Sequence, residues 1–174
     1  MIALLFHFQD WSEAVEGAKT FMRGVDMDMW RHTAKALDAT HMICVPYETT
    51  ITYRPNDSEI EYAEYASLAA ALAAYPAAAV VYLEDSRIIP GSPAYIGAAS
   101  DPAIPFTYLS DLVHPVGDAI YVVGPDYAGL SPKMFNLAAP NVLVTIKTTL
   151  NRPLWAVLAG ALALQDRKVK AGLA

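Results

Sequence analysis

Five short apolar runs, at residues 2–8, 41–46, 78–84, 119–123 and 141–146, constrain this chain most. Each is continuously hydrophobic and does not alternate with polar residues. A strand with one wet face alternates, whereas a strand buried on both faces does not. Helix-compatible segments separate the runs. Buried strands alternating with helices give an α/β domain: a mostly parallel sheet with helices on both faces. No repeat, linker or low-complexity tail divides the chain, so residues 1–174 read as one domain, a length that supports a sizeable core.

Local signals predict the remaining elements. Ser12, Glu13 and Glu16 open a helix over 10–25 that Gly24 stops, and a second helix is expected over 29–38. Residues 48–53, rich in Thr, Ile and Tyr, read as an edge strand. After the turn at Arg54-Pro55-Asn56-Asp57, Asn56 or Asp57 is placed to cap a helix over 58–75. Residues 85–105 carry four prolines and two glycines and read as a long loop. A short helix is expected at 131–138 and a final one at 153–169.

Charged residues make up only 17% of the chain against 55% hydrophobic, and the formal net charge is −6. Such a chain is globular and apolar enough to cover part of its surface with a partner, and its overall field does not attract nucleic acid. Any RNA site needs a local basic patch or a partner. Cys44 is the only cysteine, sits in an apolar run and reads as a small buried hydrophobe. Without a disulfide pair or a basic, apolar leader at Met1–Phe6, a cytoplasmic setting is expected. The uncharged stretch from Tyr65 to Leu83 is split by Pro76, so it reads as a helix and then a strand, not a membrane span. The four histidines are scattered without metal-ligand spacing, so no metal is expected.

Chemistry concentrates at two strand-to-loop junctions late in the chain. Gly124-Pro-Asp-Tyr-Ala-Gly129 follows the 119–123 run, and Thr148-Thr-Leu-Asn151 follows the 141–146 run. Ligands of open α/β sheets sit beyond the carboxyl ends of strands. Gly124 and Gly129 let backbone approach a ligand closely, and Asp126 can accept a hydrogen bond from a ribose hydroxyl. Read alone, the first junction is equally an ordinary turn with a solvated Asp. Thr149 or Asn151 can cap the last helix, with Pro153 in its first turn, and capping alone explains both. Arg31 and His32 can contact phosphate or move a proton, but by themselves read as a solvated Arg and a partly buried His. Glu84-Asp85 follows a strand and can sit at the sheet's ligand edge, though it reads more simply as a solvated strand end. Arg167, Lys168 and Lys170 suit the negative end of a helix.

These residues together resemble the SPOUT-class RNA methyltransferases, in particular the SpoU/TrmH-type branch that methylates ribose 2′-hydroxyls. The family's Gly-x-Glu-x-x-Gly-Leu-Ser is matched by Gly124-Pro-Asp-Tyr-Ala-Gly-Leu-Ser131, with Asp126 for Glu. Its Ser-Leu-Asn before an alanine-rich helix is matched by Thr149-Leu150-Asn151, and that helix ends in Gln165-Asp-Arg167. Of its first motif, only Thr33-Ala-Lys-Ala-Leu37 is recognisable; Asp26, Asp28 and His32 stand where Asn, Gly and Arg are usual. The resemblance implies S-adenosylmethionine as methyl donor, held on the backbone around Gly124, Gly129, Leu130 and Ile146 to Leu150, Thr148 and Thr149 included. It implies a homodimer, a C-terminal trefoil knot and an RNA substrate, with a tRNA arm the expected target. Arg31 or His32, Asp126 and Asn151 are its implied catalytic residues. The departures in the first motif leave a rival: an inactive homodimer of this fold that binds a nucleotide-like ligand or a protein partner.

Overall fold

The computed structural model describes residues 1–8, 27–46, 60–124, 129–148 and 154–172. The elements, in chain order, are strand β1 (Ile2–Phe8), helix α1 through 27–36, β2 (His41–Pro46), β3 (Glu61–Glu64), α2 (Leu68–Ala74), β4 (Ala79–Leu83), β5 (Thr107–Tyr108), β6 (Ala119–Val123), β7 (Val142–Thr145) and α3 (Ala156–Lys170). The seven strands form one sheet in the order β3-β2-β1-β6-β4-β7-β5. Every pairing is parallel.

The apolar runs became the inner strands because nothing else could cover them. All five residues of β4 and of β6 are buried. One face packs Leu4, Phe6, Tyr121 and Val144 against Trp30 and Ala34 of α1 and Ala163 and Leu164 of α3. The Trp30 and Phe6 rings stack at 4.4 Å, which fixes α1 on this face. The other face packs Leu5, Ile43, Tyr82 and Ile120 against Leu68 and Ala71 of α2. Helices thus cover both faces of the sheet, as expected.

Chain order and sheet order diverge in the last third. β6 returns to lie between β1 and β4, and β7 lies between β4 and β5. The connection from β5 back to β6 is fastened to α3. Lys170 donates to the carbonyls of Leu109, Ser110 and Leu112 at 2.9, 3.0 and 3.1 Å. His114 bridges Tyr121 Oη at 2.7 Å and Asp166 Oδ2 at 2.8 Å. Lys168 pairs with Asp38 at 2.7 Å. The basic end of α3 therefore includes two lysines already engaged within the fold.

Four local expectations are corrected. The last helix begins at Ala156 with Trp155 as its N-cap and no side-chain cap bond, so it is not capped by Thr149 or Asn151 and Pro153 precedes its first turn. The helix over 58–75 is instead β3 followed by α2, whose N-cap is Ser67, accepting from the Ala70 N–H at 3.1 Å. Glu61–Glu64 pairs with β2 and contributes an edge strand. The helix at 131–138 is a single 3₁₀ turn, Pro132–Met134. The long loop contains a 3₁₀ turn at Ser86–Ile88 and leads into the two-residue strand β5. The helix over 10–25 and the edge strand over 48–53 lie outside the described residues.

Candidate functional site

Three adjacent strands end together where the chain's chemistry was expected. Leu83 is paired with Val123 of β6 and with Val144 of β7. The Glu84 N–H continues the ladder to the Val144 carbonyl at 2.9 Å. Glu84 therefore stands between the ends of β6 and β7, with Gly124 on one side and Thr145 on the other.

Of the two readings of Glu84, ligand edge or solvated strand end, the simpler one fails. Glu84 is no solvated strand end. One carboxyl oxygen accepts from the Asp85 N–H at 2.7 Å, and the other accepts from the Leu130 N–H. Burial pushes its pKa up to about 7, although these two N–H bonds favour the ionised form. A carboxyl that titrates near neutrality within a strand-end site is a functional candidate. The signal lay in the fold: only the return of β6 and β7 brings Leu130 onto this side chain.

Gly129 and Leu130 close the site from above. Gly129 has φ +63°, in the left-handed region that glycine enters freely. A Cβ there would stand 2.6 Å from Ile88 Cδ1 and 2.7 Å from Glu84 Oε1. A Cβ on Gly124 would stand 2.7 Å from the Gly129 carbonyl carbon and 2.8 Å from the Leu130 nitrogen. The two glycines permit Gly124 to lie directly against the backbone of Gly129 and Leu130. Leu130 is buried beside Tyr82, Ile89 and Val122.

β7 supplies the third wall. Leu143 faces the same layer as Tyr82 and Leu130, so Thr145, two residues further on, points the same way. Thr145 is buried, at 1% exposure, and its hydroxyl has no hydrogen-bond partner among the described residues. A buried unpaired hydroxyl costs free energy and calls for an explanation. Ile146 packs into the opposite layer, and Thr148 is exposed.

The structure thus brings Gly124, Gly129 and Leu130 together beside Glu84, whereas Ile146 and Thr148 follow the end of β7, Ile146 in the opposite layer. Asp126, Thr149, Leu150 and Asn151 lie outside the described residues. Arg31 and His32 sit on α1. The Arg31 guanidinium lies 3.3 Å from Asp28 Oδ1 and 3.2 Å from His32 Nε2. No cluster of metal-ligating side chains occurs among the described residues. No helix among them is long and apolar enough to cross a membrane.

No protein-family model and no curated protein sequence matches the chain. Solved structures do. A structure concerning 2′-hydroxyl methylation of C/U34 on tRNA superposes with TM-score 0.60 at 16% identity, over 98% of this chain and 91% of that one. The SpoU methyltransferase AviRb of Streptomyces viridochromogenes, in complex with AdoMet, gives TM-score 0.60 at 16% identity, over 97% and 57% of the two chains. A TrmH-family protein of Porphyromonas gingivalis gives 0.58 at 13% identity, over 95% and 58%. The chain therefore spans little more than half of two of these relatives and nearly all of the third. The fold is that of the TrmH/SpoU RNA methyltransferase structures.

Proposed function

We propose that this chain belongs to the SpoU/TrmH-type branch of the SPOUT class and is an S-adenosylmethionine-dependent RNA methyltransferase, acting on a ribose 2′-hydroxyl of tRNA. The observation that carries the reading is the convergence of Glu84, Gly124, Gly129–Leu130 and Thr145 on adjoining strand ends, within a fold shared along almost its whole length with such proteins. The family's C-terminal trefoil knot and cytoplasmic setting belong to the same proposal. The return of β6 and β7 into the middle of the sheet is compatible with the knot.

The residues present suit the methyl donor. Gly124 and Gly129 let the backbone of Gly129–Leu130 and the Glu84 side chain meet more closely than a Cβ would allow, and the buried Thr145 hydroxyl, which has no partner among the described residues, offers a donor and an acceptor. Gly124, Gly129, Leu130, Ile146, Thr148, Thr149 and Leu150 would hold it. When bound, it supplies a sulfonium-activated methyl group. The chain's own contribution is to position the acceptor hydroxyl in line and to exclude water, which accounts for much of the barrier reduction in such reactions. Asp126 and Asn151 are assigned to the ribose and the loop. Arg31 or His32 is assigned to orienting the hydroxyl or taking its proton.

A homodimer belongs to the reading. Trp155, Leu158, Leu162 and Val169 are 68%, 46%, 39% and 56% exposed. Their spacing puts them on one stripe of α3. Met29 of α1, on the same side of the sheet, is also exposed. An exposed stripe of this kind suits a second copy.

A second reading has its own support. Asp28 stands where the family has glycine, and its carboxylate engages Arg31. An Arg held by a neighbouring acid is less available to an RNA phosphate or ribose. On this reading the dimer binds a nucleotide-like ligand or a protein without transferring a methyl group. Transfer of labelled methyl from S-adenosylmethionine to unfractionated tRNA decides between them. Incorporation that Arg31→Ala abolishes supports the enzyme, and absence of incorporation into any RNA with intact donor binding supports the rival.

A further inference from the structure

We propose that Lys133 and Lys147 are the phosphate-holding edge of this site, the two side chains that keep an RNA backbone at the ends of β4 and β7. The proposal deepens the methyltransferase reading and rests on it for RNA as the ligand. A chain of net charge −6 holds RNA only through a local basic patch. Most of its described cations are engaged within the fold. Arg31 is held by Asp28, Arg87 by Asp85, Lys168 by Asp38 and Lys170 by Asp166. Arg167 lies beside the Tyr121 hydroxyl with its Nε buried, and Lys35 is engaged as well. Lys133 and Lys147 differ. Both are exposed, and neither has an ion pair or hydrogen bond among the described residues.

Both lysines stand at the same end of the sheet. Lys133 lies in the 3₁₀ turn that follows Leu130. Just beyond that turn, the Phe135 ring packs on Tyr82 at 5.4 Å and the Asn136 N–H donates to the Tyr82 hydroxyl at 3.3 Å. Tyr82 precedes Glu84 by two residues, so the turn is fixed beside the carboxyl end of β4. Lys147 follows Thr145 by two residues, off the carboxyl end of β7, the strand paired with β4. The described acids at this end leave the two charges uncancelled. Glu84 is bonded to the Leu130 amide, Asp85 is matched by Arg87, and Glu64 is on β3 at the far side of the sheet. The exposed carboxylates of Asp38, Glu61 and Asp118 lie at the opposite end, by the starts of β2, β3 and β6. S-adenosylmethionine carries no phosphate, so lysines on the rim of its site answer to the substrate. A lysine is a compact, mobile point charge that holds phosphate without reading bases. The pair therefore positions RNA and leaves its sequence to other contacts.

The test is filter binding of labelled unfractionated tRNA across a range of salt, alongside titration with S-adenosylhomocysteine. Wild type is compared with Lys133→Ala, Lys147→Ala, the double variant and Lys168→Ala. Circular dichroism establishes that each is folded, and glutamine replaces alanine at both positions should the double variant fail to fold. Each lost phosphate contact lowers the slope of log affinity against log salt by about 0.7–0.9, a factor of about 5–8 at about 0.1 M salt relative to 1 M. Each single variant should therefore bind tRNA about 5–8-fold more weakly, and the double variant about 25–60-fold, with a slope lower by about 1.4–1.8. Lys168→Ala removes the same charge at the other end of the sheet and should change affinity less than about twofold, because salt screens it. Unchanged affinity and slope in the double variant would overturn the proposal. An equal loss in Lys168→Ala, or a wild type that does not bind tRNA, would overturn it too. Polyglutamate bound as tightly as tRNA, with the same dependence on both lysines, would make the partner an acidic protein and overturn the RNA assignment. If tRNA binding depends on the lysines but S-adenosylhomocysteine does not bind, the phosphate edge stands and the methyltransferase reading fails. If S-adenosylhomocysteine binds and the lysines make no difference to tRNA, the donor site stands and the edge falls.

Discussion

Replacing Gly129 with alanine tests the close fit on which the site depends. Two costs follow from the structure. The φ of +63° must be kept by a residue with a Cβ, which costs about 1–2 kcal/mol. The new Cβ would also stand 2.7 Å from Glu84 Oε1, so the carboxyl must move. Moving it weakens its bonds to the Leu130 and Asp85 amides in a partly buried place, adding about 1–2 kcal/mol. The total of about 3 kcal/mol corresponds to a fall of roughly 6–12 °C in Tm for a domain of this size. Urea unfolding of the wild type, Gly129→Ala, Glu84→Ala and the double variant separates the two costs. Removing the carboxyl should relieve the collision but not the backbone strain. Gly129→Ala should therefore cost only about 1–2 kcal/mol in the Glu84→Ala background, a coupling of about 1–2 kcal/mol. A Gly129→Ala cost below about 0.5 kcal/mol, or additive costs across the cycle, would refute the argument.

Other consequences can be measured separately. Thr145→Val removes a buried hydroxyl that has no partner among the described residues and should raise the unfolding free energy by about 1 kcal/mol; a loss of that size in chemical denaturation would mean the hydroxyl is bonded. Burial holds the His114 pKa below its ordinary value, so the stability tied to its neutral form is present above about pH 6.5 and is lost as pH falls through its lowered value. Unfolding curves of His114→Gln should accordingly be flatter than wild type across that acid range, and an unchanged slope would contradict the assignment. Burial pushes the Cys44 thiol up to about 12, so a thiol reagent at pH 8 should label it only as fast as the protein opens; rapid labelling of the native protein would contradict its burial.

The inner strands were legible because a strand buried on both faces leaves an unbroken apolar run, and His41–Pro46 and Ala119–Val123 fell where expected. The edge was not legible. Among the described residues β3 pairs on one side only, and it is made of Glu-Tyr-Ala-Glu, a polar segment whose strand character comes from β2 and not from its own residues. The neighbouring alanines favoured one long helix, and Ser67 as its true cap went unrecognised. The two glycines of the site could be read because their backbone requirements are local. Glu84 could be placed at a strand end, but its burial could not be read, since its environment depends on contacts from residue 130 and on the end of β7, far along the chain. Likewise, the role of Lys170 as a clasp on three carbonyls needed the course of the β5–β6 connection, whereas its helix-end position suggested only a dipole effect.

Calorimetric titration of the purified protein with S-adenosylmethionine and S-adenosylhomocysteine tests the central claim most directly. The account predicts micromolar binding of both, near one ligand per chain or per dimer, weakened in Gly129→Ala. Absence of binding to either ligand by the folded protein would contradict it, and would leave the fold without the donor site assigned to it.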